Sequence, residues 1–171
     1  MSTSTENVET NSAEESLNVL LVGNNPIEMT KLYGYLSAIK GKKIIAEYCF
    51  SARDSLIKAL KLKPACILID DSIDNLSIKR LMEGIGRHVK TRDIPLTLLK
   101  SSNKRQVSDY GFSDFLMKEN LSSENLYRSI LNLIKFRKTH RYLYKKYKKS
   151  ESKLMQFLSG FGKRPSNAIG L

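Results

Sequence analysis

The run Ala65-Cys66-Ile67-Leu68-Ile69-Asp70 constrains the fold more than any other stretch of the chain. Five apolar residues in succession end abruptly on a carboxylate. A strand with one wet face alternates apolar and polar residues, so an unbroken run of strand length belongs to a strand buried on both faces. Strands of that kind occur in parallel sheets with helices on both sides, and their carboxyl ends open into the crevice where ligands bind. Asp70 is thereby a candidate site residue at the rim of a rigid core. Asp also starts turns, and the stretch taken alone reads more readily as a plain strand end; its surroundings change that balance.

The rest of the chain repeats the alternation that a parallel sheet needs. Strands are expected over residues 17–22, 44–50, 65–70, 94–99 and 111–117. After the turn Gly23-Asn24-Asn25-Pro26, Leu32, Tyr35, Leu36 and Ile39 stand at helical spacing in residues 27–39. Ser51 and Asp54 resemble a capping box ahead of Leu56, Ile57 and Leu60. A third helix over 78–89 turns Leu81, Met82 and Ile85 inward. A short polar helix is expected over 102–109, and a long helix begins at Ser122. Five strands alternating with five helices predict an α/β fold with one parallel sheet covered on both faces.

Composition narrows the function classes. The chain has 171 residues, enough for one domain and an appended element. Its longest apolar runs are strand-sized, too short to span a bilayer. Residues 1–16 contain Glu6, Glu9, Glu14 and Glu15 without Lys or Arg, which predicts a disordered acidic tail and not a signal peptide. The formal charge of +12 therefore resides beyond that tail and favours acidic partners: proteins, nucleic acid or a membrane surface. Cys49 and Cys66 lie in apolar strand contexts, as suits a reducing cytoplasm, and no Cys/His spacing fits zinc. Neither a GxGxxG fingerprint nor a P-loop is present.

Four segments carry a family resemblance: Val19-Leu20-Leu21-Val22-Gly23-Asn24-Asn25-Pro26, the run from Lys63 through Asp70, Asp93-Ile94-Pro95-Leu96-Thr97-Leu98-Leu99, and Gly111-Phe112-Ser113-Asp114-Phe115-Leu116-Met117-Lys118. In this order and spacing, residues 17–134 resemble the receiver domain of bacterial two-component response regulators. The resemblance implies a flavodoxin-like, doubly wound five-stranded sheet in the order 2-1-3-4-5. It puts Asp70 at the phosphoacceptor position, Lys118 at the lysine that pairs with the phosphoryl group, and Phe115 at the aromatic switch position.

The departures from the family pattern are chemical. The two acidic residues that hold magnesium after strand one are replaced by Gly23 and Asn24. Magnesium prefers carboxylate oxygen, whereas Asn24 offers a neutral carbonyl and Gly23 no side chain. The hydroxyl expected after strand four is Lys100, with Ser101 adjacent; prolines of the pattern are replaced by Asp74 and Glu119. Lys118 or Lys100 is expected to form an ion pair with Asp70 in place of the missing cation. Asp71 and Asp74 are nearby alternative ligands. No cofactor is expected, magnesium being the one candidate if Asp70 is functional.

The last helix runs past the point where a receiver domain ends. Residues 135–159 are expected as a basic helical extension and 160–171 as a disordered tail. Lys135, Arg137, Lys138, Arg141, Lys145, Lys146, Lys148 and Lys149 form a basic patch with Phe136, Tyr142, Leu143, Tyr144 and Tyr147 interleaved. Leu126, Leu133, His140, Tyr147 and Leu154, with Ile130, Tyr144 and Leu158, make a weak heptad interrupted by Arg137 and Glu151. Expected roles are docking to a partner helix or homodimerisation, with a nucleic-acid contact as the alternative. An amphipathic membrane contact is poorly supported, since the apolar face is thin.

These readings converge on an atypical, stand-alone response regulator, or pseudo-receiver. It is expected to be cytoplasmic, non-enzymatic and active through protein–protein contacts independently of phosphorylation. The expected partners are a histidine kinase, a phosphotransfer protein or a downstream effector. The alternatives are a phosphorelay regulator phosphorylated on Asp70 and a nucleic-acid-binding protein that uses the basic helix.

Overall fold

The computed structural model describes residues 16–102 and 111–161. One parallel sheet contains β1 (Leu17–Val22), β2 (Ile44–Cys49), β3 (Cys66–Asp70), β4 (Leu96–Lys100) and β5 (Asp114–Met117). The strands lie in the order β2-β1-β3-β4-β5, as expected. The helices are α1 (Pro26–Ser37), α2 (Ala52–Leu62), α3 (Asn75–Arg87) and α4 (Ser123–Phe161), with a 3-10 turn at Lys118–Asn120. The short helix expected over 102–109 and the tail expected over 1–16 lie outside the described residues, apart from their edge residues Ser102 and Ser16.

Alternation along the strands sorts the core into two layers. Leu20, Val22, Ile67, Ile69, Leu96 and Leu98 pack with Ala59 of α2 and with Ile78, Leu81, Met82 and Ile85 of α3. Val19, Leu21, Cys66, Leu68 and Leu99 pack with Met29, Leu32 and Leu36 of α1 and with Leu126 and Ile130 of α4. All five residues of β3 are buried, as its unbroken apolar run requires. Cys49 and Cys66 are free and buried, and burial pushes the Cys66 thiol up to about 12.

Local chemistry sets the helix starts. Asn25 accepts from the backbone N–H groups of Ile27 and Glu28, ahead of Pro26 at the first helical position. The Ser51 hydroxyl accepts from the Asp54 N–H and donates to the Asp54 carboxylate. Asp74 accepts from the Ser77 N–H and caps α3, so this helix begins at Asn75, earlier than its apolar pattern suggests. α2 ends on Lys63 in the left-handed conformation, with Pro64 beyond it to block continuation.

The order of the strands also creates the site. β1 and β3 are neighbours, and Val22 pairs with Ile69. Gly23 and Asp70 therefore follow side by side at the switch point of the sheet, where α1 and α3 leave on opposite faces. The chain divides into two units at Ile134 and Lys135. α4 contributes its start to the first unit and the remainder to the second. Gly160, expected to end the helix, lies within it; one Gly costs a helix only about 1 kcal/mol.

Truncating the two-sided core should be expensive. Leu68→Ala is expected to lose about 2–5 kcal/mol of stability, read as a lower urea midpoint at unchanged slope. Ile27→Ala, at an exposed position, should change stability by less than about 0.5 kcal/mol.

Candidate functional site

Asp70 ends β3 with its side chain fully buried, and Asp71 beside it is only 1 % exposed. Two adjacent carboxylates removed from water require compensation. Lys118, directly after β5, provides it. Its Nζ lies 2.6 Å from Asp70 Oδ2 and 3.2 Å from Asp71 Oδ1. The Asp70 contact is an ion pair, and among the described residues no other donor reaches Oδ2. Asp70 Oδ1 accepts from the Ser72 N–H at 2.7 Å.

Asp71 is held more completely. The Ser101 N–H donates to its Oδ2 at 2.7 Å and the Ser101 hydroxyl to its Oδ1 at 2.8 Å. Burial alone would raise this carboxyl, but the two Ser101 bonds and the Lys118 charge outweigh burial and hold it below the usual aspartate value. Burial likewise acts to lower Lys118, yet Asp70 first and Asp71 second keep its ammonium above the usual lysine value. One cation and one serine thus join the carboxyl ends of β3, β4 and β5.

Lys118 reaches Asp70 as expected, whereas Lys100 does not. The Lys100 Nζ stands 5.8 Å from the centre of the Phe115 ring. The cause is strand periodicity: Asp70 pairs with Leu99, so the next residue points to the other face, where Leu98 and Phe115 are paired. Phe115 is partly exposed and its ring meets that of Phe112 at 5.6 Å. Ser101 enters the site through Asp71 and not through Asp70. Asp74 is committed to capping α3.

The positions expected to be degenerate for metal are filled or engaged. A Cβ at Gly23 would stand 2.4 Å from Met29 Cε, 2.8 Å from Met29 Sδ and 3.0 Å from Asp70 Cβ. The end of the Met29 thioether therefore occupies the space that a Cβ at position 23 would need. Asn24 Oδ1 accepts from the Ser72 hydroxyl at 2.6 Å, and Asn24 Nδ2 donates to the Ser72 carbonyl at 3.2 Å. Magnesium needs near-octahedral oxygen donors. Here one Asp70 oxygen faces an ammonium, the other accepts a backbone N–H, and the Asn24 carbonyl is engaged. The donor set does not fit magnesium. Among the described residues, no group of three or more His, Cys, Asp and Glu side chains could hold a metal.

Sequence reasoning missed the Asp71–Ser101 couple, the Ser72–Asn24 couple and the Met29 side chain beside Asp70. Each joins residues far apart in the chain, and no local spacing signals such a contact. The consecutive acids at 70 and 71 were the only local hint. The basic patch lies entirely in α4, where all its members but the half-buried Arg137 are exposed.

No family model matches the sequence, and no curated protein does. Solved structures do match. The chain is similar to the receiver domain of a sensor histidine kinase from Pseudomonas aeruginosa, with 19 % identity over 70 % of this chain and 98 % of that one and a TM-score of 0.59. That protein has a magnesium ion coordinated in its active-site cleft. It is similar to a chemotaxis response regulator of Vibrio cholerae, with 18 % identity, 69 % and 98 % coverage and a TM-score of 0.57. A response regulator from Desulfuromonas acetoxidans matches at 23 % identity, 70 % and 98 % coverage and a TM-score of 0.56. At these identities the likeness is one of fold, and the fold is the receiver fold.

Removing Lys118 would strand two buried carboxylates. Lys118→Met is expected to cost about 3–5 kcal/mol in chemical denaturation, with part of the loss recovered by adding Asp70→Asn. The Asp71 contribution is full above the ordinary aspartate value of about 3.9 and is lost as pH falls through its lower folded value. The Lys118 contribution is full below the ordinary lysine value of about 10.4 and is lost as pH rises through its higher folded value. Thermal melts should therefore show the advantage of the native chain over Asp71→Asn shrinking below about pH 4.

Proposed function

We propose that this chain is an atypical receiver-type signalling protein of the cytoplasm, acting through protein contact and not through catalysis. In this reading the state of the domain is set by the Lys118 ion pairs and not by magnesium-dependent phosphorylation of Asp70. Its partners are a histidine kinase, a phosphotransfer protein or a downstream effector. The receiver fold supports the signalling class. The observation that carries the phosphate-independent part is the fully buried Asp70, paired with Lys118 while Met29 fills the space beside Gly23.

The argument is one of chemistry at Asp70. Aspartyl phosphorylation needs a carboxylate oxygen free to attack a phosphoryl group, with a divalent cation to neutralise the crowded oxygens. Neither oxygen is accessible, and the surrounding donors suit an ammonium and a backbone N–H. A tethered ammonium compensates the carboxylates permanently, whereas a metal ion comes and goes with its concentration. A partner that displaces the end of β5 would shift the equilibrium between two packings.

The test is an amide NMR titration with magnesium, followed by magnesium with beryllofluoride as a phosphoryl mimic. The expected result is no saturable shift at Asp70, Ser101 or Lys118 at millimolar metal. Saturable shifts clustered on those residues and spreading to Phe115 would establish a phospho-switch at Asp70 and overturn the proposal.

A further inference from the structure

Beyond Ile134, α4 carries two faces of opposite chemistry. At about 100° per residue, Phe136, Leu143, Tyr147, Leu154 and Leu158 fall within an arc of about 60°. These five side chains are 55–65 % exposed. They form a stripe about 33 Å long at the helical rise of 1.5 Å per residue. On the other side lie Lys138, Arg141, Lys145 and Lys149, while Lys135, Lys146 and Lys153 border the stripe on one flank and Lys148 on the other. Glu151 is the sole acid between Lys135 and Phe161, and it is paired with Lys148 at 2.8 Å.

This stripe differs from the heptad read in the sequence. Leu126, Ile130 and Leu133 are buried in the receiver unit, so the first part of that heptad serves the domain core. Continued outward, its register meets Arg137, His140 and Glu151. The exposed stripe shares Tyr147, Leu154 and Leu158 with it and adds Phe136 and Leu143; His140 also falls within its arc, whereas no Lys, Arg, Asp or Glu does.

We propose that the basic extension of α4 binds an anionic lipid surface, lying flat with this stripe in the headgroup boundary. The charge distribution selects this occupant. Interfacial helices combine low overall hydrophobicity, Lys and Arg on the polar face, and Leu and aromatic residues on the other. The flanking lysines have stems long enough to keep their ammonium groups at the phosphate level while the stripe is buried. Cations on the far side of a helix about 10 Å across remain near one Debye length from the surface. A second copy would bring two strongly basic helices together over a core broken by His140 and Ser150. A nucleic acid would use the cations and leave the apolar stripe in water. This inference is independent of the chemistry proposed at Asp70.

Co-sedimentation of the full chain with vesicles tests it. One set is phosphatidylcholine alone, and the other is an equimolar mixture of phosphatidylcholine and phosphatidylglycerol. Binding is expected to the mixed vesicles only and to weaken as salt is raised. Leu143→Ser and Leu154→Ser should each weaken it about tenfold, and Lys146→Gln and Lys153→Gln about fivefold each. All four positions are exposed, and circular dichroism verifies that the helix is retained. Absence of binding to the mixed vesicles at low salt would overturn the proposal. So would full binding by the Leu143→Ser, Leu154→Ser double variant, which would mark a purely electrostatic polyanion site. A dimer in sedimentation equilibrium that the same double variant dissociates, without vesicle binding by the native chain, would assign the stripe to a second copy.

Discussion

A single ammonium in the core conditions the whole carboxyl edge of the sheet. Asp70 is buried because β3 is central and covered on both faces, and Asp71 follows it into the same enclosure. Carboxylates in such a place are tolerated only with a counter-charge and donors in position. Lys118 supplies the charge from the end of β5, and Ser101 supplies two donors from the end of β4. Three strands are thus joined at one edge by a cluster that no single strand could satisfy. Packing below and charge pairing above the rim depend on each other.

The same arrangement defines what the pocket can hold. Its chemistry is that of a carboxylate pair already neutralised in large part, with the end of the Met29 thioether where a Cβ at position 23 would stand. The Pseudomonas aeruginosa receiver domain holds a magnesium ion in its own active-site cleft. On the reading proposed for this chain, the tethered lysine replaces a diffusible ion, and the trigger for any switch moves from phosphate chemistry to contact with a partner. Lys100 and Phe115 lie together on the opposite face of the sheet.

The basic extension obeys a different physical logic. Within the receiver unit, α4 is placed by burial of Leu126, Ile130 and Leu133. From Lys135 onward an exposed apolar stripe is flanked by Lys135, Lys146, Lys148 and Lys153, with Lys138, Arg141, Lys145 and Lys149 on the far side and Tyr142 among the cations. Such a helix has no core of its own to specify, only a boundary between an apolar and an aqueous phase. Its amphipathic stripe is what a surface between those phases would recognise.

The sequence alone determined the layered architecture. Strand-length apolar runs, helical spacing between them, the turn ending on Pro26 and the capping box at Ser51 are local signals, and local signals survive without coordinates. The candidates Asp70 and Lys118 were legible because a buried run ending on Asp, and its family resemblance, lie in contiguous residues. Only the tertiary structure decided which lysine reaches the carboxylate. That choice turned on the pairing of Asp70 with Leu99, because a shift of one residue sends a side chain to the other face of the sheet. Met29 beside Gly23, Ser101 on Asp71 and Ser72 on Asn24 were equally invisible beforehand. Each contact joins separate elements, and its geometry is set by sheet register and helix packing, which periodicity within a segment does not encode.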